Sequence, residues 1–410
     1  MDEKIFEVEI SNTGPKGYET AWVLRLPCTQ AEYRDALQKA RIEDGRRCHN
    51  ELTQVNYPGI TSAMIGQNVD LLELNLLALR LTMLSDEDRM GLDGLLRMER
   101  ERHTGPIPLS RLINLTFNAD ICLLAPQVSD TQELGALLFE GEMLTDEAMA
   151  LLDTTEPDSK YRERLLAVFG EQHMESHGGV FTARGYVEPG GDCKEAYRKG
   201  EMFPFLLAGG AVTLEISCNG GQPVTLKLPA LEAEIQKTLD TAGASSPEEC
   251  TIRCVDCEIP ALREAINASI HEEGGIGQAN EFARLIAQKK RVWHEADFIK
   301  YKALLAASGS PSLQDAMRLA HGLDQYELDR DVAQTWDYAA LVLREKYPDL
   351  PEELFQTPQA AQVGRNYLAR GDAAITDYGL IRSRDGSQLP VFEQSQEQSE
   401  QPQMGGMEMM

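Results

Sequence analysis

The residues most able to do chemistry in this chain are its cysteines, histidines and carboxylates, and their spacing limits what they could do. Cys250, Cys254 and Cys257 form a C-x3-C-x2-C run that offers three thiolates to zinc, with Cys218 as a distant fourth. No second C-x2-C pair accompanies the run. The plainer reading is a β-strand over Thr251–Val255 whose neighbouring cysteines are incidental. His173 and His177 stand four apart, which puts both rings on one helical face with Glu175 nearby, a pair that a mononuclear metal can use. No third ligand is evident, and Gly178-Gly179 then reads as a helix stop beside two exposed histidines. The carboxylate pairs Glu140/Glu142 and Asp146/Glu147 have acid–base spacing, yet among 66 acidic residues such pairs arise everywhere. The expectation is no catalytic residue, no metal and no cofactor.

The common enzyme signatures are also missing. The chain contains no G-x-S-x-G elbow, no GK[ST] phosphate loop and no HExxH. Gly274-Gly275-Ile276-Gly277 is glycine-rich, but no strand with dinucleotide-fold spacing precedes it, and Gln278–Ala287 reads as a helix. These absences point away from an enzyme.

Charge carries more information. Across 410 residues, 66 Asp and Glu oppose 39 Lys and Arg, a net charge of −27. Residues 1–200 hold 34 acids and 21 bases, and the remainder 32 and 18, so the excess is even along the chain. Direct binding of nucleic-acid phosphate needs a basic face and is not expected. From Leu112 to Ser159 there is no Lys or Arg at all, while ten acids fall there. B-DNA presents one charge per ~1.7 Å of axis, so 27 charges at that density would cover about 46 Å of duplex. Carboxylates so arrayed could occupy a DNA-binding groove. No run of about 18 apolar residues exists to cross a membrane. The charged opening Met1-Asp2-Glu3-Lys4 is no signal segment, so the expected compartment is the cytosol, where all eight cysteines stay reduced.

Positioning falls to the local elements. Ile5–Ile10 alternates apolar and acidic residues as a strand, and Ala21–Leu26 is a second strand closed by Pro27. Thr29 and Glu32 form a capping box for a helix over Gln30–Lys39. Leu71, Leu74, Leu77, Leu81 and Leu84 share a helical face, and Ser85 then starts a helix running to about Arg102, with Asp86, Glu87 and Asp88 in its first turn. A short helix follows near Leu109–Leu115.

This order returns about 200 residues later. Val224–Pro229 echoes Trp22–Pro27 at an offset of 202, and Glu258-Ile259-Pro260 echoes Asn56-Tyr57-Pro58 at the same offset. Gln278–Ala283 echoes Glu73–Ala78 at 205, Lys302–Leu305 echoes Asp93–Leu96 at 209, and Leu313–Leu319 stands for Leu109–Leu115. Phe181–Val187 resembles Ile375–Ile381, 194 apart. Six echoes in one order indicate a tandem duplication. The fold expected is α+β: an elongated multi-domain chain of two tandem units, each a small antiparallel sheet with helices plus a helical module. The expected boundaries are 1–60 and 61–120 for the two parts of the first unit, 121–205 for an acidic connecting module, 206–270 and 271–330 for the second unit, 331–392 for a C-terminal module, and 393–410 for a disordered tail rich in Gln, Ser, Glu and Met.

The opening strand with Ala21-Trp22-Val23-Leu24-Arg25-Leu26-Pro27, and the run Gln54–Ile65 leading into Leu72-Glu73-Leu74-Asn75-Leu76-Leu77-Ala78, resemble the ArdA antirestriction proteins. The likeness is best over residues 4–120, weaker over 212–330, and the whole chain is similar to long ArdA-like proteins of Firmicutes mobile elements. It implies an acidic DNA mimic that dimerises and blocks type I restriction–modification enzymes. Typical members are less than half this length, so two units in one chain would make an intramolecular pseudo-dimer, with a homodimer as the other arrangement. The implied partner is a DNA-binding restriction or modification enzyme, with no direct nucleic-acid or membrane contact; the rivals are an acidic interaction scaffold of a mobile element, an inhibitor of another DNA-binding defence system, and a metal-dependent enzyme using His173, His177 and nearby carboxylates. The phosphate-mimicking carboxylates would be Asp86, Glu87, Asp88, Asp130, Glu133, Glu140, Glu142, Asp146 and Glu147, the densest base-poor stretches. Arg97, Arg100, Arg102, Lys289, Lys290 and Arg291 would interrupt any continuous anionic track.

Overall fold

A computed structural model describes residues 3–14, 17–43, 48–200, 210–218, 221–271, 275–355 and 357–392. The tail expected to be disordered, 393–410, lies outside the described residues. The chain is α+β and divides into two compact units, 1–206 and 207–410.

The first unit opens with β1 (Phe6–Asn12), β2 (Trp22–Leu26), α1 (Gln30–Lys39) and β3 (Cys48–Val55). These strands form an antiparallel sheet in the order β2-β1-β3, with a bulge between Glu7 and Val8. Alternation along β1 buries Phe6, Val8 and Ile10 on one face, which is why the period-two pattern is readable in the sequence. The capping box of α1 is present: Glu32 N–H donates to Thr29 Oγ1 at 3.2 Å, and Thr29 N–H to Glu32 Oε2 at 2.9 Å. Next come α2 (Ser62–Ile65), α3 (Leu71–Thr82), α4 (Asp86–Arg102) and α5 (Leu109–Phe117), whose apolar faces share one core with the sheet. Asp70 caps α3 and Ser85 caps α4.

The described part of the expected connecting module, residues 121–200, carries elements of its own: β4 (Leu123–Pro126), α6 (Thr131–Glu140), α7 (Asp146–Asp153), α8 (Lys160–His177), β5 (Val180–Thr182) and β6 (Gly185–Glu188). The strands make a second antiparallel sheet, β4-β6-β5. Leu134, Leu138 and Tyr186 form its small core.

The second unit repeats the series: β7 (Val212–Cys218), β8 (Val224–Leu228), α9 (Glu232–Ala242), β9 (Cys250–Cys257), α10 (Arg263–Ile270), α11 (Gly275–Lys289), α12 (Glu295–Ala307), α13 (Leu313–His321), β10 (Tyr326–Asp329), α14 (Thr335–Lys346), α15 (Pro358–Leu368), β11 (Ala373–Thr376) and β12 (Gly379–Ser383). Its sheets are β8-β7-β9 and β10-β12-β11, and its first sheet is bulged between Thr213 and Leu214, the place corresponding to the bulge of β1. Leu26-Pro27 and Leu228-Pro229 are both cis. Just after each proline, a buried asparagine amide holds the chain. Asn75 accepts from Cys28 N–H at 2.8 Å and donates to Cys28 O at 3.1 Å; Asn280 does the same for Ala230 at 2.9 and 3.0 Å. The amide of the L-N-x-L-A motif therefore completes the backbone of the turn it packs on. Where the first unit has α7, the described residues of the second have only a short 3-10 turn, Glu352–Leu354.

Candidate functional site

The nine carboxylates expected to mimic phosphate gather at helix termini. Asp86, Glu87 and Asp88 occupy the first turn of α4, and Asp146 and Glu147 that of α7, where the positive end of the helix dipole favours them. Three of the nine have local duties. Asp88 Oδ2 accepts from Ser85 N–H and Oγ–H, Asp130 Oδ1 accepts from Glu133 N–H, and Glu133 Oε2 accepts from Ser129 N–H and Oγ–H. Asp86, Glu87, Glu140, Glu142, Asp146 and Glu147 are exposed. The last two belong to α7, so the helix peculiar to the first unit is itself part of the acidic surface. Among the bases named as interruptions, Arg97 pairs with Glu101 at 3.9 Å and Lys290 with Glu258 at 2.7 Å, so part of that positive charge is locally offset.

The expectation for the cysteines is corrected at one place. Cys218 and Cys250 end paired strands β7 and β9 with their Cα atoms 4.5 Å apart and are joined as a disulfide. Two sulfurs of the imagined zinc set are thereby removed. Burial pushes the Cys254 thiol up to about 12 and raises Cys257 further still, so both stay protonated and neither offers a thiolate. Cys254 and Cys257 are core residues of the first sheet of the second unit.

The histidines turn out differently. Both lie on the last turn of α8, which Gly178 closes in the left-handed conformation, as the glycine pair implies. Their rings stack, centroids 4.0 Å apart and planes 19° from parallel. The sequence reading found no third ligand, but the fold supplies one: Glu188, at the end of β6. His173 Nε2 lies 2.8 Å from Glu188 Oε2, and one ligand atom from each of His173, His177 and Glu188 falls within 4.8 Å of the others. Glu175, the carboxylate nearest in sequence, is exposed and not in this group. Tyr186 O–H donates to Glu188 Oε2 at 3.2 Å, and Glu188 is only 7% exposed. Burial and this carboxylate together raise the Tyr186 hydroxyl well above the usual range, so it stays a donor. Glu188 reaches the histidines because β5 and β6 form a tight hairpin that follows α8.

No family model, curated protein or solved structure matches the chain. No helix among the described residues is long and apolar enough to cross a membrane. The class of the protein thus rests on its own charge and architecture: an acidic, internally duplicated α+β chain.

Proposed function

We propose that the protein is a non-enzymatic DNA mimic that inhibits a DNA-binding defence enzyme, of the type I restriction–modification class, by occupying its DNA-binding groove. The supporting observation is the distribution of acidity. The net charge of −27 divides almost equally between the halves of the chain, and six of the nine carboxylates singled out are exposed and free of capping duties. A solubilising surface needs no base-free stretch of the length seen from Leu112 to Ser159. Two related units in tandem would serve in one chain where shorter ArdA-like proteins pair two.

Competition with DNA is the expectation that separates mimicry from an acidic scaffold. DNA releases condensed counterions when it binds, which a protein does to a smaller degree, so the mimic's affinity falls less steeply with salt and higher salt favours it over DNA. The experiment titrates the protein into a preformed enzyme–DNA complex at two salt concentrations, alongside a restriction-protection assay in cells. Displacement that improves with salt supports the reading. Undisplaced DNA at both concentrations, with unchanged restriction across several type I systems, ends it.

A further inference from the structure

We propose that His173, His177 and Glu188 form a binding site for one divalent transition-metal ion of the zinc class, which joins the last turn of α8 to β6. This site is independent of the carboxylates invoked for DNA mimicry.

The donor set is two imidazoles and one carboxylate, the composition of zinc sites with three protein ligands and one open position. His177 Nδ1 lies 3.0 Å from the carbonyl oxygen of His173. In the tautomer with Nδ1 protonated it donates to that carbonyl, Ser176 Oγ being its other neighbour at 2.9 Å, and the lone pair of His177 falls on Nε2. That bond is the outer-shell contact that orients a ligating imidazole. On Glu188, the bonds from His173 and Tyr186 both fall on Oε2, which leaves the lone pairs of Oε1 for a cation. A simple His173–Glu188 ion pair accounts for two of the three residues. It gives no role to the second histidine, whose ring stacks on the first at 4.0 Å. A cation shared by all three side chains does. Ligand atoms around a tetrahedral zinc are about 3.3 Å apart given metal–ligand bonds near 2.0–2.1 Å. The three ligand atoms already lie within 4.8 Å of one another, and the exposed ring of His177 is free to rotate toward the other two.

The second unit is an internal control. The β5–β6 hairpin corresponds to β11–β12, so Glu188 corresponds to Arg382, His173 to Tyr367 and His177 to Gly371. A guanidinium stands where the carboxylate should be, and no cluster of three metal-ligating side chains occurs there among the described residues.

The test uses the full chain, stripped with EDTA, desalted, and titrated with zinc chloride by calorimetry and with Co²⁺ by visible absorption. One ion per chain is expected, with Co²⁺ bands of a nitrogen–oxygen site and no thiolate charge-transfer band. His177→Ala and Glu188→Gln should each weaken binding at least tenfold. Because His177 is exposed, its variant keeps the fold even if Glu188→Gln does not. Absence of saturable binding, a thiolate band, or affinity unchanged in His177→Ala would overturn the site. Neither result depends on whether the protein inhibits restriction.

Discussion

The second sheets of the two units share a backbone, and the side chains on and around them differ in charge. Thr182 and Thr376 each accept through Oγ1 from the N–H two residues on and donate to a glycine carbonyl, Gly185 or Gly379, at 2.9 and 2.8 Å. Those glycines have φ of 134° and 133°, a conformation only glycine adopts without strain. On this common frame the first unit carries Glu188, His173, Glu140 and Glu142. The second carries Arg382, Tyr367, Arg344 and Lys346 at the corresponding places. Even the small cores exchange partners: Leu134 packs with Tyr186 in one, and Tyr338 with Leu380 in the other, the aromatic ring moved from strand to helix. What persists is what the backbone needs; charge and ligating capacity are free to diverge. An even net charge therefore hides two different surfaces.

The helix crossings test this most severely. In the first unit α6 and α8 meet at two glycines: a Cβ on Gly135 would lie 1.9 Å from Leu166 O, and one on Gly170 1.9 Å from Thr131 O. In the second, Gly364 is kept, with an added Cβ 2.2 Å from Thr335 O, but Ala339 replaces Gly135. Gly135→Ala should thus cost about 3 kcal/mol by overpacking. The reverse exchange, Ala339→Gly, should cost about 1 kcal/mol from helix propensity. Urea unfolding followed by circular dichroism measures both, and equal costs would mean that the crossings are alike after all.

The asparagine clamps predict symmetry instead. Asn75→Ala and Asn280→Ala each remove two hydrogen bonds to buried backbone, at a cost of about 2 kcal/mol apiece. A difference of more than about 1 kcal/mol between them, well outside ordinary context effects, would break the correspondence of the units at this point.

A subtler asymmetry concerns acid. Glu99 is buried, which raises its pKa, but its hydrogen bond and charge interaction with Arg111, aided by His103 and Arg102, outweigh this and hold it below the usual carboxylate range. Its contribution to stability is present above the ordinary value of 4.5 and is lost as pH falls through the lowered folded value. The corresponding residue after α12 is Ser308, fully buried and uncharged, bonded to Leu304 O at 2.7 Å. Glu99→Gln should lower stability at neutral pH and flatten its loss in acid; Ser308→Ala should leave the acid limb unchanged. Unfolding midpoints measured from pH 7 down to pH 3 decide it.

Local signals made the helices and first sheets legible. Thr29-x-x-Glu32, Asp70 and Ser85 mark helix starts by chemistry confined to four residues, and the order of elements they open recurs in the second unit although these caps do not. Contacts across longer stretches were not legible. Glu188 meets His173 only because a hairpin reverses the chain, and nothing in the spacing of His173 and His177 encodes that reversal. Cys218 and Cys250 are 32 residues apart and meet only through strand register. The stretch 121–205 looked like a connector because its strands have three or four residues, too short for a period-two pattern to stand out.

The smallest effect bears on function. If the proposed mimicry holds, each exposed carboxylate is one of many screened contacts, so Glu140→Lys alone should weaken inhibition by about 0.5 kcal/mol or less. Reversing Asp86, Glu87, Glu140, Glu142, Asp146 and Glu147 together should weaken it progressively and substantially. The second unit supplies the contrast. Arg344 occupies the place of Glu140 and is paired with Glu352, so Arg344→Glu removes a locally offset charge and adds an anion where a phosphate-like track is interrupted. It should strengthen inhibition slightly at low salt and leave it unchanged at high salt, where only nearby charges interact. Inhibition constants for both variants at two salt concentrations measure this. A total loss from Glu140→Lys in a folded protein would point to one decisive contact, and the distributed anionic surface would then be the wrong account of binding.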